Sequence, residues 1–296
     1  MITFPNRWTL KNYYRCCASG LINRETMDNE AIEINLLLEA IYQKYGYDFK
    51  EYADASMRRK ILHRLELFKL SNISEMTHRV LHEQEFFEIL LQDFYTSVTE
   101  MFRDPSYYQA LRKAVIPILK TYSHPRIWVA GCASGEEAYS LAILLKEEGL
   151  YDRSQIYATD LDKNAIKKAR DGLYSAELLR KYTSNYQKAG GVESFSDYYV
   201  AQNQNAVMDP SLKQKILFST HNLVSDDSFN EMHLISCRNV LIYFKKALQE
   251  RVLGLFHRSL CRQGILCLGA KESLHFTSHD DAFETLMNHE KIYRKK

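Results

Sequence analysis

Four carboxylates stand where their surroundings could do chemistry: Glu136, Glu137, Asp160 and Asp162. The first pair follows the glycine turn Gly131-Cys-Ala-Ser-Gly135 and opens the amphipathic run EEAYSLAILLKEE. The second pair closes the apolar run QIYAT. An acidic residue at the end of a second strand can accept hydrogen bonds from both ribose hydroxyls of an adenosine ligand, a role that falls to Asp160. Two carboxylates at a helix start would repel a pyrophosphate, which otherwise favours that position. They would not repel the amine and sulfonium of S-adenosyl-L-methionine (SAM). The turn also lacks the middle glycine of the dinucleotide pattern G-x-G-x-x-G. With Gly131 in the turn against the ligand, these residues favour SAM over a nicotinamide dinucleotide.

Other reactive residue types are sparser. Arg103 stands between Phe102 and Pro105. It either pairs with Asp104 or points into a cleft and holds a carboxylate by its two-pronged fork. Cys237-Arg238-Asn239 marks the end of an apolar run, the edge where α/β sheets hold ligands. His78 and His82 have the spacing of two zinc ligands, but no glutamate of the H-E-x-x-H type lies between them and no third ligand is evident. They read as a surface pair, and no metal is expected. The six cysteines show neither disulfide-framework nor zinc spacing.

The elements that would position these residues follow from periodicity. Ile127–Ala130 is too short for a helix and is bounded by Pro125 and Gly131, which suits a buried strand. With the turn and the run from Glu136 it makes strand, glycine turn, helix. KILFSTHNL, MHLISCRNVLIYF, GILCLGAKES and EKIYRKK read as further strands, and KNAIKKAR and KKALQERVLGLFHRSL as helices. The polar, tyrosine-rich stretch between about 175 and 215 fits that alternation poorly and reads as an inserted subdomain with short antiparallel strands. From Asp28 to about Phe94 the chain reads as helical. NEAIEINLLLEAIYQKYG closes at Gly46 as a C-cap, and SNISEMTHRVLHEQEFFEILL reads as one helix capped by Ser71 or Ser74. Between them, DASMRRKILHRLELFKL sets Arg58, Arg59, Lys60, His63, Arg64 and Lys69 around the stripe Met57, Ile61, Leu65, Phe68. That basic helix is either a solvated face or a docking surface for an acidic helix of another protein.

Composition bounds the classes. The 296 residues carry a net charge of +2, with 46% hydrophobic and 26% charged residues. These are globular values with no global push toward nucleic acid or membrane. No apolar run reaches the length of a membrane span, and the first residues hold no signal-peptide core. A cytoplasmic location follows, with residues 1–26 as a leader of unknown role.

Taken together, VTEMFRDP, AGCASGEEAYS, ATDLD, KARDGLY, HNL and CRNVLIYF occur in the order and spacing of the chemotaxis-receptor glutamate methyltransferases, and from about Met27 to its end the chain resembles that CheR family. The resemblance implies a helical N-terminal domain over 27–95. It also implies a SAM-dependent α/β methyltransferase domain with a Rossmann-like sheet over 96–296, carrying a small inserted β-subdomain. By matching position it puts Thr99 and Arg103 at the mouth of the SAM site, Glu137 on the methionine amino group and Asp160 on the ribose. Asn222 and Leu223 would flank the adenine, with Arg238, Asn239 and Tyr243 near the reacting methyl. Family members often carry Asn where Ser97 stands and a second aromatic where Met101 stands, so Ser97 is discounted as a contact.

The implied activity is protein-glutamate O-methylation with S-adenosyl-L-homocysteine (SAH) as product. The substrate is an acidic helical segment of a methyl-accepting receptor or other signalling protein, docked on Arg58, Arg59 and Arg64. The membrane is met only through the receptor. A glutamate acceptor has a pKa of about 4.3 and needs no general base, so Arg103 is expected to steer it and Tyr243 to shape its approach. The competing readings are a catalytically silent SAM- or SAH-binding module of the same fold, a nucleic-acid methyltransferase and a nicotinamide oxidoreductase.

Overall fold

Strand β1 (Arg126–Ala130) is an inner strand of the molecule's main sheet, third from one edge, and its side chains alternate between two separate cores. Ile127 and Val129 join one core; Trp128 and Ala130 join the other. A strand buried on both faces must be apolar throughout, which is why this run stands out in the sequence. In the computed structural model, which describes residues 28–95 and 98–296, the chain divides into two compact units. Among the described residues, one unit holds 28–50 together with Ile61–Phe87, and the other holds Glu51–Lys60, 88–95 and 98–296. The leader over 1–26 and Ser97 lie outside the described residues.

The larger unit is built on a seven-stranded sheet in the order β6-β2-β1-β7-β8-β10-β9. Its strands are β1, β2 (Gln155–Asp160), β6 (Ile216–Thr220), β7 (Met232–Cys237), β8 (Leu260–Leu268), β9 (Phe283–Met287) and β10 (Ile292–Lys295). The first five of these pair in parallel, while β10 runs antiparallel between β8 and β9. The chain moves outward from β1 through β2 to β6, then returns to the other side of β1 as β7. That reversal opens a crevice at the C-terminal ends of β1 and β7, where open α/β sheets hold ligands.

Three sequence expectations need correction here. The run MHLISCRNVLIYF is strand only to Cys237; Leu241–Tyr243 turns into a short 3-10 segment instead. β9 was not anticipated. It is an edge strand whose middle residues face solvent, so its apolar signal is weak. The inserted subdomain does contain a three-stranded antiparallel sheet, β3 (Leu173–Ser175), β5 (Asn205–Met208) and β4 (Tyr199–Gln202) in spatial order. It also contains a helix, Ala176–Lys188, capped by the Ser175 hydroxyl and burying Tyr182 and Tyr186. Glu147 ties this insert down: its carboxylate accepts from Tyr198 Oη at 3.1 Å, from Val192 N at 3.2 Å and from Tyr186 Oη, and pairs with Arg112.

In the smaller unit, helix α1 (Asn29–Tyr45) buries Leu37, Leu38 and Ile41, and helix α3 (Ile73–His82) buries Ile73, Met76 and Val80. Gly46 closes α1, its N–H donating to Tyr42 O at 2.9 Å. The cap of α3 is Asn72 rather than Ser71 or Ser74: Asn72 Oδ1 accepts from Glu75 N at 2.8 Å. The chain leaves helical geometry at Glu83, so the expected single helix is two, α3 and α4 (Gln84–Phe94). The basic helix α2 (Asp54–Leu67) begins among residues of the larger unit and ends in the smaller one.

Candidate functional site

The turn after β1 is fixed by its backbone. Gly131 N and Cys132 N both donate to Thr159 O, at 2.8 and 2.9 Å. Gly131 has φ +77°, and a Cβ there would lie 2.4 Å from Val240 Cγ2, so the turn is pressed against the loop that follows β7. No larger residue fits that approach. At the end of β2 the Asp160 carboxylate accepts Ala133 N at 2.8 Å on one oxygen and Asp162 N at 2.9 Å on the other. Each oxygen keeps a lone pair for a ligand. Burial raises the pKa of Asp160, and these backbone donors oppose the rise.

The end of β7 carries a buried ion cluster. Arg238, whose side chain is 2% exposed, donates to Asp104 Oδ2 at 2.7 Å and to Glu137 Oε2 at 3.2 Å. Its guanidinium lies 3.9 Å from the centre of the Tyr107 ring. Burial works against the Arg238 charge, but Glu137, with help from Asp104, outweighs it and raises the pKa. Glu137 is held a second time by Ser236 Oγ at 2.5 Å, and Ser236 in turn meets Tyr107 Oη at 2.9 Å. Asp104 therefore pairs with Arg238, not with its neighbour Arg103. The Arg103 guanidinium is left with the carbonyl of Val98 at 3.1 Å.

Thr99, Arg103, Gly131, Glu137, Asp160 and Asn222 all line one cavity at these strand ends. Leu223, Arg238, Asn239 and Tyr243 line it too. Tyr243 is placed by its main chain: its N–H donates to Val240 O at 3.1 Å, and its carbonyl accepts from Ala53 N at 2.8 Å. Glu136 does not join its neighbour at the cavity. It is buried against Ser134 and Tyr182, whose hydroxyls reach it at 2.8 and 3.4 Å. Successive residues on a helix face different ways, so the turn offers the cavity one carboxylate, not two.

The three docking candidates do not line the cavity. Arg58 and Arg59 are exposed, whereas Arg64 is half-buried with its guanidinium 5.2 Å from the Phe68 ring centre. His78 and His82 sit side by side on the surface, ring centres 4.4 Å apart, and among the described residues no cluster of metal-ligating side chains occurs.

Sequence reasoning missed several lining residues. Cys132 and His221 sit inside motifs already singled out and could have been found as neighbours. Tyr52 and Tyr95 had no signal. Tyr52 arrives because residues 51–53 pair with the segment around Phe244. Lys60, whose Nζ lies 5.7 Å from the Tyr243 ring centre, donates to Phe94 O at 2.6 Å. Burial, and then Arg59, push its pKa down to about 8.

The acceptor groups of the cavity fit SAM. Glu137 and Asp160 are acceptor-only groups suited to an ammonium and a ribose diol. The positive charge of Arg238 is already neutralised by Glu137 and Asp104, so that arginine is not free to hold a pyrophosphate. A family model described as "CheR methyltransferase, SAM binding domain" matches residues 97–292, and one described as "CheR methyltransferase, all-alpha domain" matches 32–95. A Pseudomonas putida protein named "Putative methyltransferase Cher3" is 50% identical over 267 residues, covering 90% of this chain and 98% of that protein. The "Chemotaxis protein methyltransferase" of Listeria monocytogenes is 29% identical, covering 77% of this chain and 85% of its own. The "Chemotaxis protein methyltransferase 1" of Vibrio cholerae is 29% identical, covering 80% and 86%. Motif order, cavity chemistry and these matches agree: the chain belongs to the CheR methyltransferase family.

Proposed function

We propose that this SAM-dependent methyltransferase esterifies glutamate side chains in acidic helical segments of chemoreceptors, with SAH as the second product. The observation that carries this reading is the meeting at one cavity of two acceptor carboxylates, Glu137 and Asp160, with Arg103 and Tyr243. Bound SAM supplies a methyl group on a positively charged sulfonium. Glu137 would hold its amino group and Asp160 its ribose, with Asn222 and Leu223 about the adenine and Thr99 at the mouth. Arg103, whose guanidinium donates to the Val98 carbonyl and forms no ion pair among the described residues, would draw in the acceptor carboxylate. Tyr243 and Asn239 would confine that carboxylate and exclude water.

No general base is required, because a glutamate is ionised at neutral pH. Alignment alone can lower such a barrier by about 7–11 kcal/mol. A silent binding module would be expected to have lost one of Arg103, Asp160, Arg238 or Tyr243 from the cavity, and all four line it. Arg58 and Arg59 would receive the acidic helix from the cytoplasmic side, so that the membrane is met through the receptor.

The test uses methyl-labelled SAM, the full chain and receptor-bearing membranes. Label should enter a receptor-sized protein and leave as methanol in mild base. Base-resistant label, or none, refutes the proposal.

A further inference from the structure

One buried carboxylate has no part in the reaction described so far. Glu272, 5% exposed, lies beyond the end of β8 and does not line the cavity. Its two oxygens accept four backbone N–H groups: Oε2 from Gly269 at 2.6 Å and Asn239 at 3.0 Å, Oε1 from Val240 at 2.8 Å and Ile242 at 3.3 Å. Three of those donors belong to the segment that carries Asn239 and leads into Tyr243. This loop has no ladder partner for these N–H groups, so the carboxylate takes the place of a neighbouring strand. A carboxylate has about four lone-pair sites, which all four donors use.

The surroundings hold the loop to the same geometry. A Cβ on Gly269 would lie 2.7 Å from Glu272 Oε2 and 2.8 Å from Asn239 N, so glycine is what lets the clamp close. On the opposite side Val240 is pressed against Gly131. Asn239 adopts φ +60°, a left-handed conformation that asparagine accepts more readily than most side chains. Beyond the clamp, the bonds Tyr243 N to Val240 O and Ala53 N to Tyr243 O fix the loop's far end.

We propose that Glu272 is the positioning residue for the acceptor side of the cavity: through the Asn239–Ile242 backbone it sets where Asn239 and Tyr243 stand, without touching either substrate. This rests on the placement of the acceptor beside those two residues. Glu272→Gln keeps the shape but leaves one oxygen to accept and turns an N–H₂ toward donors.

In the full chain, Glu272→Gln should lower kcat about 10–100-fold, the scale of an ångström-level misplacement. SAH affinity, measured by calorimetry, should stay within about threefold, because Glu137, Asp160 and Asn222 are held by other bonds. In an Asn239→Ala/Tyr243→Ala background the same change should cost less than about threefold, since both side chains it positions are gone. By hydrogen exchange, the amides of Asn239, Val240 and Ile242 should be protected in the wild type and exposed in the variant, with β1 and β2 unchanged.

The proposal is overturned by unprotected amides in the wild type, a measurement available even if the variant does not fold. Near-normal kcat in Glu272→Gln, or an equal fold-loss in both backgrounds, overturns it as well. A wild-type chain that forms no methyl ester would instead refute the proposed function, leaving the exchange result to judge the clamp.

Discussion

Glu137 serves two partners in this account, and Glu137→Gln separates them. Its carboxylate is the less exposed of the two that neutralise Arg238, at 14% against 48% for Asp104. Exposed pairs contribute about 0–1 kcal/mol, whereas removing one partner of a buried pair costs about 3–5 kcal/mol. Glutamine keeps the shape and one acceptor, so the expected loss is near the lower end, about 3 kcal/mol. At about 2–4 °C per kcal/mol for a domain of this size, the melting temperature should fall by about 6–12 °C.

The second partner is the amino group of the bound ligand. A hydrogen bond to a charged group contributes about 1.5–3 kcal/mol, and each 1.4 kcal/mol is about tenfold in affinity. SAH should therefore bind about 10–100-fold more weakly to the variant. Thermal unfolding without ligand reads the first effect, and calorimetric titration with SAH, well below the melting temperature, reads the second. A lowered melting temperature with unchanged SAH affinity would mean that Glu137 serves Arg238 alone, and the assignment of the amino-group contact would fall. An unchanged melting temperature would mean that the Glu137–Arg238 pair does not stabilise the fold.

Arg103→Ala should lower kcat by about 10–100-fold, as loss of a charged substrate contact does, with a smaller effect on SAH affinity; near-normal turnover removes its steering role. Arg58→Glu and Arg59→Glu should each raise the KM for receptor and leave SAH binding intact, and normal receptor kinetics in both would make that helix a solvated face. Lys60, with its pKa lowered to about 8 from 10.5, is protonated in both folded and unfolded chains at neutral pH. Between those values the unfolded chain binds more protons, so this residue's contribution to stability rises with pH there. Denaturant midpoints of the wild type relative to Lys60→Met should climb across that window and stay flat below it; a flat difference throughout refutes the burial of this lysine.

The cavity residues were legible in the sequence because they stand in short blocks at strand ends. There an apolar run gives way abruptly to glycine or to polar residues, as at Gly131, Asp160 and Arg238. What escaped was whatever depends on the direction of a side chain or on contacts distant in the chain. Arg238 meets Asp104 across 134 residues, and nothing local favours it over Arg103. Glu136 and Glu137 look alike as letters, but helix geometry sends one to Tyr182 and the other to Arg238. The helix at Ala176–Lys188 was hidden by its polar composition, since only Tyr182 and Tyr186 of its side chains are buried. Around Asn72, three residues able to cap stood within four positions, and only the extended backbone at Asn72 decides among them.

The most direct test of the central claim is to incubate the full chain with SAM and purified chemoreceptor, digest the receptor, and locate the added mass by peptide sequencing in a mass spectrometer. One methyl per modified site is expected, carried on glutamate side chains of the receptor's acidic helices and lost in mild base. A methyl found on nitrogen, on sulfur or on a different class of residue would contradict it.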